Sequence, residues 1–175
     1  VLTDLVIEAL RPASPRLSPS NPEITVHDTT ADSNSGRLII LVDDELLVID
    51  ETVTSPIVHI ESINARSVKA IHNENRVMAI TESGMLLVYQ LSDFDLLGEY
   101  NLSAQGTGAT PPGVWDDTIP SYVSVIEDDS TWIAHGCDIF WRAANTSFNN
   151  WAFYNLCNSN PSQAPFSSIY ATSDA

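Results

Sequence analysis

The sequence predicts an all-β fold built from repeated four-stranded antiparallel units. Three observations predict it. From Ile24 onward the chain is a series of short runs rich in Val, Ile and Leu, bounded by Asp, Asn, Ser or Gly, the punctuation of strands and turns. No convincing helical period interrupts them. The runs also recur. "RLIILV-DDE-LLVID" (37–50) aligns on its turn with "RVMAI-TESGM-LLVYQ" (76–90), and "VKAIHNENRVMA" (68–79) aligns with "VSVIEDDSTWIA" (123–134) at a constant offset of 55.

Residues 2–10, "LTDLVIEAL", place Leu2, Leu5, Val6, Ala9 and Leu10 on one helical face, while the β-branched Val6 and Ile7 also suit a strand. A short helix or strand is expected there. In the following "RPASPRLSPSNPE", Pro12, Pro15, Pro19 and Pro22 allow neither helix nor ladder, so residues 1–22 end in an extended Pro-rich linker. Residues 23–175 form the β domain. Its first unit, 23–62, has an inner strand near 23–27 and strands near 37–42, 46–50 and 56–60. The second, 66–102, has strands near 67–72, 76–81, 85–91 and 96–101. The third, 120–157, has strands near 121–127, 131–135, 138–143 and 151–156, and "SSIYATSDA" (167–175) reads as the start of a further unit.

In each unit the second strand is very apolar, the third ends in a large residue and the fourth is outermost. Gly84 aligns with Gly136 and Tyr89 with Trp141. Repeats of about forty residues, each of four antiparallel strands, are the blades of a β-propeller. A β-sandwich, with similarly spaced strands, is the alternative. "ESGMLLVYQLSDFDLLGEYNL" (82–102) resembles the third and fourth strands of a WD-repeat blade, where a Gly turn precedes an apolar run, a Trp-Asp pair and another strand. The pair's positions here are Ile49-Asp50, Tyr89-Gln90 and Trp141-Arg142. None is Trp-Asp, and the Gly-His that usually precedes such a blade is missing. The resemblance covers residues 24–157 and implies degenerate WD-repeat-like blades. Three blades are fewer than a closed ring requires, so the set is expected to be incomplete, a fragment of a longer propeller.

The chain has 23 acidic and 7 basic residues, a formal charge of −16, and Lys69 is its one lysine. Such a surface repels phosphate backbones and acidic membranes, which argues against a nucleic-acid partner. No apolar run approaches the roughly 20 residues of a membrane span, so no membrane insertion is expected. Acidity of this kind suits solubility in a salty or extracellular medium.

Cys137 and Cys157 are the two cysteines. The hairpin "DIFWRAANTSFNNWAFYNL" centres near Ser147, and antiparallel pairing about that centre sets 138 opposite 156, 141 opposite 153 and 137 opposite 157. A Cys137–Cys157 disulfide is expected from that register, with two buried thiols as the alternative. Asn101-Leu102-Ser103 and Asn145-Thr146-Ser147 are sequons, and Asn145 falls in the hairpin turn, where a glycan would be exposed. Bridge, sequons and lysine scarcity together point to an extracellular or secretory setting.

Nothing in the chain reads as a catalytic signature. His59 and His135 fall in strand patterns and His27 and His72 at turns, with no zinc-ligand spacing and no Cys-x-x-Cys. "DTTADSNSG" (28–36) hints at a calcium loop through Asp32 and Asn34, but Gly36 sits one position early and no bidentate Glu follows, so an acidic turn between two strands is expected. Neighbouring acids such as Asp116-Asp117 and Asp128-Asp129 would face opposite sides of a strand and are not an acid/base couple. No catalytic, cofactor or metal residues are therefore assigned.

What remains is a surface. In a four-stranded blade the second-to-third turns and the connections between blades share one end. That end collects Asp43, Asp44, Glu82, Trp115, Asp116, Asp117 and Asp138, together with the long connection "NLSAQGTGATPPGVWDDTIP" (101–120). Trp115 is read as either an exposed anchor or a ring tucked on the sheet edge. The function expected is a non-enzymatic extracellular propeller module that binds or scaffolds a protein or glycan partner. A self-assembling structural subunit of an extracellular or viral assembly, and part of a glycan-processing propeller enzyme, are the alternatives.

Overall fold

Short apolar runs alternating with Asp-, Asn- and Gly-bearing turns fold into twelve strands among the residues that the computed structural model describes, 25–50, 52–54, 57–104, 115–116, 118–126 and 129–155. The strands are β1 (Val26–Ala31), β2 (Leu38–Val42), β3 (Glu45–Ile49) and β4 (Ile57–Ser62); β5 (Ala65–Ile71), β6 (Arg76–Thr81), β7 (Met85–Gln90) and β8 (Leu96–Asn101); and β9 (Ser121–Val125), β10 (Thr131–His135), β11 (Asp138–Arg142) and β12 (Ala152–Asn155). They form three four-stranded antiparallel sheets, each in sequence order. The inner strands β1, β5 and β9 lie side by side. Segments 46–50 and 86–90 hold equivalent third-strand places, β3 and β7.

Burial explains why the runs are so apolar. One layer joins Ile39, Leu41, Leu46 and Val48 of the first sheet to Val68, Val77, Ala79, Leu87 and Tyr89 of the second. The opposite face of the second sheet sets Met78, Ile80, Leu86 and Val88 against Val123, Ile133 and Phe140 of the third. A strand buried on both faces loses the apolar–polar alternation, hence "VMAI" and "LLVY". Each such side chain contributes about 1.5–3 kcal/mol of burial.

Four features depart from expectation. The first inner strand is Val26–Ala31, not 23–27, and so contains His27, which was expected at a turn. Its polar residues bond to the next blade: Asp28 Oδ2 accepts from the Val68 N–H at 2.9 Å and Ser67 Oγ at 3.0 Å, and Thr30 Oγ1 accepts from the Ala70 N–H. The acidic turn begins only at Asp32, whose carboxylate accepts from Ser35 Oγ and the Asn34 N–H.

The offset of 55 holds for β5 and β9 but slips in the next strand. Val68 pairs with Ala79, whereas Val123 pairs with Ile133 and not Ala134. Counted from these aligned pairs the connection after β9 is one residue shorter, and Asp129 takes a left-handed φ of 63° within it. In the last hairpin the register is displaced by one from 138–156 and 141–153: Asp138 pairs with Asn155 and Trp141 with Ala152. Trp151 leaves the ladder because its ring packs in the core near Phe148, with Nε1 donating to the Phe148 carbonyl at 2.7 Å. A 3₁₀ turn at Leu102–Ala104, unforeseen in the sequence, follows β8. The segments 2–10, 11–22 and 167–175 lie outside the described residues.

Candidate interaction face

The turns 43–44, 82–84 and 136–137, and the connections 63–64 and 102–120, emerge at one end of the sheets. Two of the turns are two-residue hairpins. Asp43 (φ 50°) with Asp44 joins Val42 to Glu45, and Gly136 (φ 57°) with Cys137 joins His135 to Asp138.

Arg66, near the start of β5, gathers this end. Its Nη2 pairs with Glu82 Oε1, its Nη1 donates to the Asp43 carbonyl at 3.2 Å, and Asp44 Oδ1 lies 3.9 Å from Nη1. Asn64 Nδ2 donates to Glu82 Oε2 at 2.8 Å. Asp43 Oδ1 accepts the Thr25 N–H at 3.0 Å.

Trp115 ties its end of the long connection to the second and third blades. Its Nε1 donates to the Glu82 carbonyl at 2.7 Å. Its ring lies against Gly84, where a Cβ would sit 2.5 Å from the indole. The ring also stacks on His135, with centroids 3.7 Å apart and planes 6° from parallel. His135 is 5% exposed, with Nδ1 3.1 Å from Ser121 Oγ and Nε2 accepting the Asp116 N–H at 3.3 Å. Nε2 as acceptor leaves the ring proton on Nδ1, which donates to Ser121. Burial holds His135 below its usual value of 6.5, opposed by the Asp116 carboxylate. Asp116 is itself held below the usual carboxylate value by the Thr118 hydroxyl and N–H. Arg66, Glu82, Trp115, Ile119 and Ser121 line a cleft of about 290 Å³ between these parts.

The structure thus brings Asp43, Asp44, Glu82, Trp115 and Asp116 to one end, with Trp115 tucked rather than projecting. Asp138 does not join them as an open group: it is buried, and its Oδ1 accepts from Asn155 Nδ2 at 2.5 Å. Asp117 and Cys157 lie outside the described residues. Cys137 is half-buried in its turn, and no described cysteine is a free thiol. Asn145 is exposed in the β11–β12 connection, with a left-handed φ of 56°, and Asn101 is exposed at the end of β8.

Sequence reasoning missed Arg66, His135 and Ser121 as parts of this end. Arg66 carried a signal, being one of 7 bases in the chain and lying beside a connection between blades. The pairing of His135 with a tryptophan across a long connection carried none.

A second concavity of about 830 Å³ runs along the inner strands. There Lys69 Nζ is 3.5 Å from Asp28 Oδ1, and His72 Nδ1 is 3.3 Å from Asp32 Oδ1. Among the described residues no group of three or more His, Cys, Asp or Glu is placed to hold a metal ion. No described helix is long and apolar enough to cross a membrane.

The sheets, their order and their face-to-face layers are those of β-propeller blades, WD-repeat-like in form. No family model matches the chain, and no curated protein matches it in sequence. Solved structures do match in fold. The WD40 repeats of RRP9 superpose with a TM-score of 0.64 at 7% identity, over 87% of this chain and 44% of that one. Apo AztD from Citrobacter koseri gives 0.58 at 14% identity, over 85% of this chain and 38% of that one. PorZ, a surface component of the type-IX secretion system of Porphyromonas gingivalis, gives 0.51 at 13%, over 86% and 17%. The chain spans less than half the length of each of these proteins.

Proposed function

We propose that the chain is a non-enzymatic propeller module that binds a protein partner through the end bearing Asp43, Asp44, Glu82 and Asp116. One observation carries this reading: Trp115, near the β9 end of the long connection, is fastened to Glu82 of the second blade and His135 of the third. A long connection anchored at one end on a strand scaffold is a common setting of a binding surface. Four carboxylates against the single Arg66 make the end acidic, so the partner contributes a basic segment. The fold neighbours support binding or scaffolding in general terms.

An extracellular or secretory location is part of the proposal. It is supported by the exposed Asn145 sequon, the absence of a free described thiol and the single lysine. The printed description of PorZ as a bacterial surface component is compatible with it.

A lysine-rich peptide serves as the probe. Asp43→Asn with Asp44→Asn should weaken its binding by about 0.5–2 kcal/mol, or severalfold, and Asn tolerates the left-handed backbone at position 43. Asp93→Asn with Asp95→Asn, at the opposite end, removes the same charge and should leave binding nearly unchanged. Equal losses in the two double variants would reduce the effect to bulk acidity and sink the assignment of the face.

A further inference from the structure

We propose that His135 is a pH-sensitive latch, holding the 115–120 end of the long connection on the interaction face when neutral and releasing it when protonated. Its regulatory meaning rests on that face being the partner site, whereas the latch itself does not.

A neutral imidazole has one donor and one acceptor, and here both are used. Nδ1–H serves Ser121 Oγ on β9, and Nε2 receives the Asp116 N–H from the connection. Protonation places a second N–H on Nε2, aimed at the Asp116 N–H, so an attractive contact becomes a donor–donor opposition. The new charge would also sit in a nearly closed site, 5% exposed. Both consequences push the connection away from β10.

The surrounding charges do not reverse this. Asp116 favours the imidazolium, but its Oδ1 is already engaged by the Thr118 N–H at 3.0 Å and hydroxyl at 2.6 Å. Asp138, opposite His135 in the β10–β11 hairpin, is occupied by Asn155. Glu82 and Arg66, on the far side of Trp115, pair with each other, and His27 lines the same cleft. The π face of Trp115 also attracts a cation and adds to the opposing pull of Asp116. The balance leaves the closed-state value of His135 below 6.5.

The sign follows. A histidine whose value is depressed in the closed state favours that state when neutral. Its contribution is complete above the open-state value of about 6.5 and is lost as pH falls through 6.5 toward the depressed value.

Amide exchange of the full chain, corrected for intrinsic rates and read by mass spectrometry over 115–121, tests the latch. Protection should fall measurably between pH 7.5 and pH 5, while β6 and β7 stay protected. His135→Gln keeps a donor and an acceptor without titrating and should abolish the acid loosening. Because that variant could disturb packing, the tautomer of wild-type His135 is read independently by its ring nitrogen shifts. A neutral ring protonated at Nδ1 supports the latch. A neutral ring protonated at Nε2, unchanged protection in acid, or the same loosening in His135→Gln would overturn it. Any of these failures leaves peptide binding at pH 7.5 untouched; loss of face-specific binding with a working latch would sink only the functional reading.

Discussion

Gly84 shows how one residue can fix the position of another far along the chain. Its φ is +79°, a conformation that costs an L side chain about 1–3 kcal/mol, and a Cβ there would also strike the Trp115 ring. Gly84→Ala should therefore destabilise the protein by at least about 1–3 kcal/mol in urea unfolding and alter the Trp115 environment. The glycine was legible as a turn former in "ESGM", but its role as a seat for tryptophan was not. Tyr89 is the opposite case. Its ring is fully buried, and its hydroxyl, which makes no hydrogen bond of good geometry, lies near the Glu61 carboxylate. Burial, with Glu61 nearby, pushes its ionisation well above the usual 10. Because the protonated form is favoured in the fold, its contribution is present below pH 10 and lost at higher pH. In an alkaline absorbance titration Tyr89 should ionise after the other tyrosines and only as the fold opens. Tyr89→Phe, which removes a buried hydroxyl only weakly engaged with Glu61, should change stability by no more than about 1 kcal/mol in urea unfolding.

At the scale of elements, a buried bracket joins the second and third blades. Arg142, fully buried, donates through Nη2 to Glu74 Oε1 at 2.8 Å and through Nη1 to the Thr146 carbonyl, and stacks 4.1 Å over Phe148. Glu74 Oε1 also accepts the Asn145 N–H at 2.7 Å. Glu74→Ala strands a buried guanidinium and should cost about 3–5 kcal/mol in denaturant unfolding; adding Arg142→Met should recover part of that loss. The sequence showed Arg142 only as a departure from a Trp-Asp pair, because its partner lies in the preceding blade. The β11–β12 hairpin was legible as a hairpin but not in register. Periodicity does not reveal that Trp151 turns inward and shortens the ladder. The Gly136-Cys137 turn was readable because Gly supplies the positive φ directly. The proposed Cys137–Cys157 bridge would close a loop worth about 3 kcal/mol. Non-reducing mass spectrometry of the protein purified without reductant should find no alkylatable thiol, and two would rule the bridge out. Expressed through a eukaryotic secretory route, the chain should carry sugar at Asn145, seen as a mass loss on enzymatic deglycosylation.

At the scale of the whole molecule, blade identity was written in the sequence because the first two blades repeat the same burial pattern in their second and third strands. "RLIILV" and "RVMAI" fill equivalent second strands, and "LLVI" and "LLVY" fill equivalent third strands. The first inner strand was misplaced because its polar residues bond sideways to β5 instead of filling a core, which removes the apolar signal. The interaction face was half legible. Topology put its acidic turns at one end, while Arg66 and the Trp115–His135 stack emerged only in three dimensions. The central claim is that this end receives the partner. Carboxyl-group footprinting of the chain with and without the lysine-rich peptide, at pH 7.5, tests it most directly. The account predicts that Asp43 and Asp44 become protected while Asp93 and Asp95 label as before; protection confined to Asp93 and Asp95, or spread evenly over both ends, would contradict it.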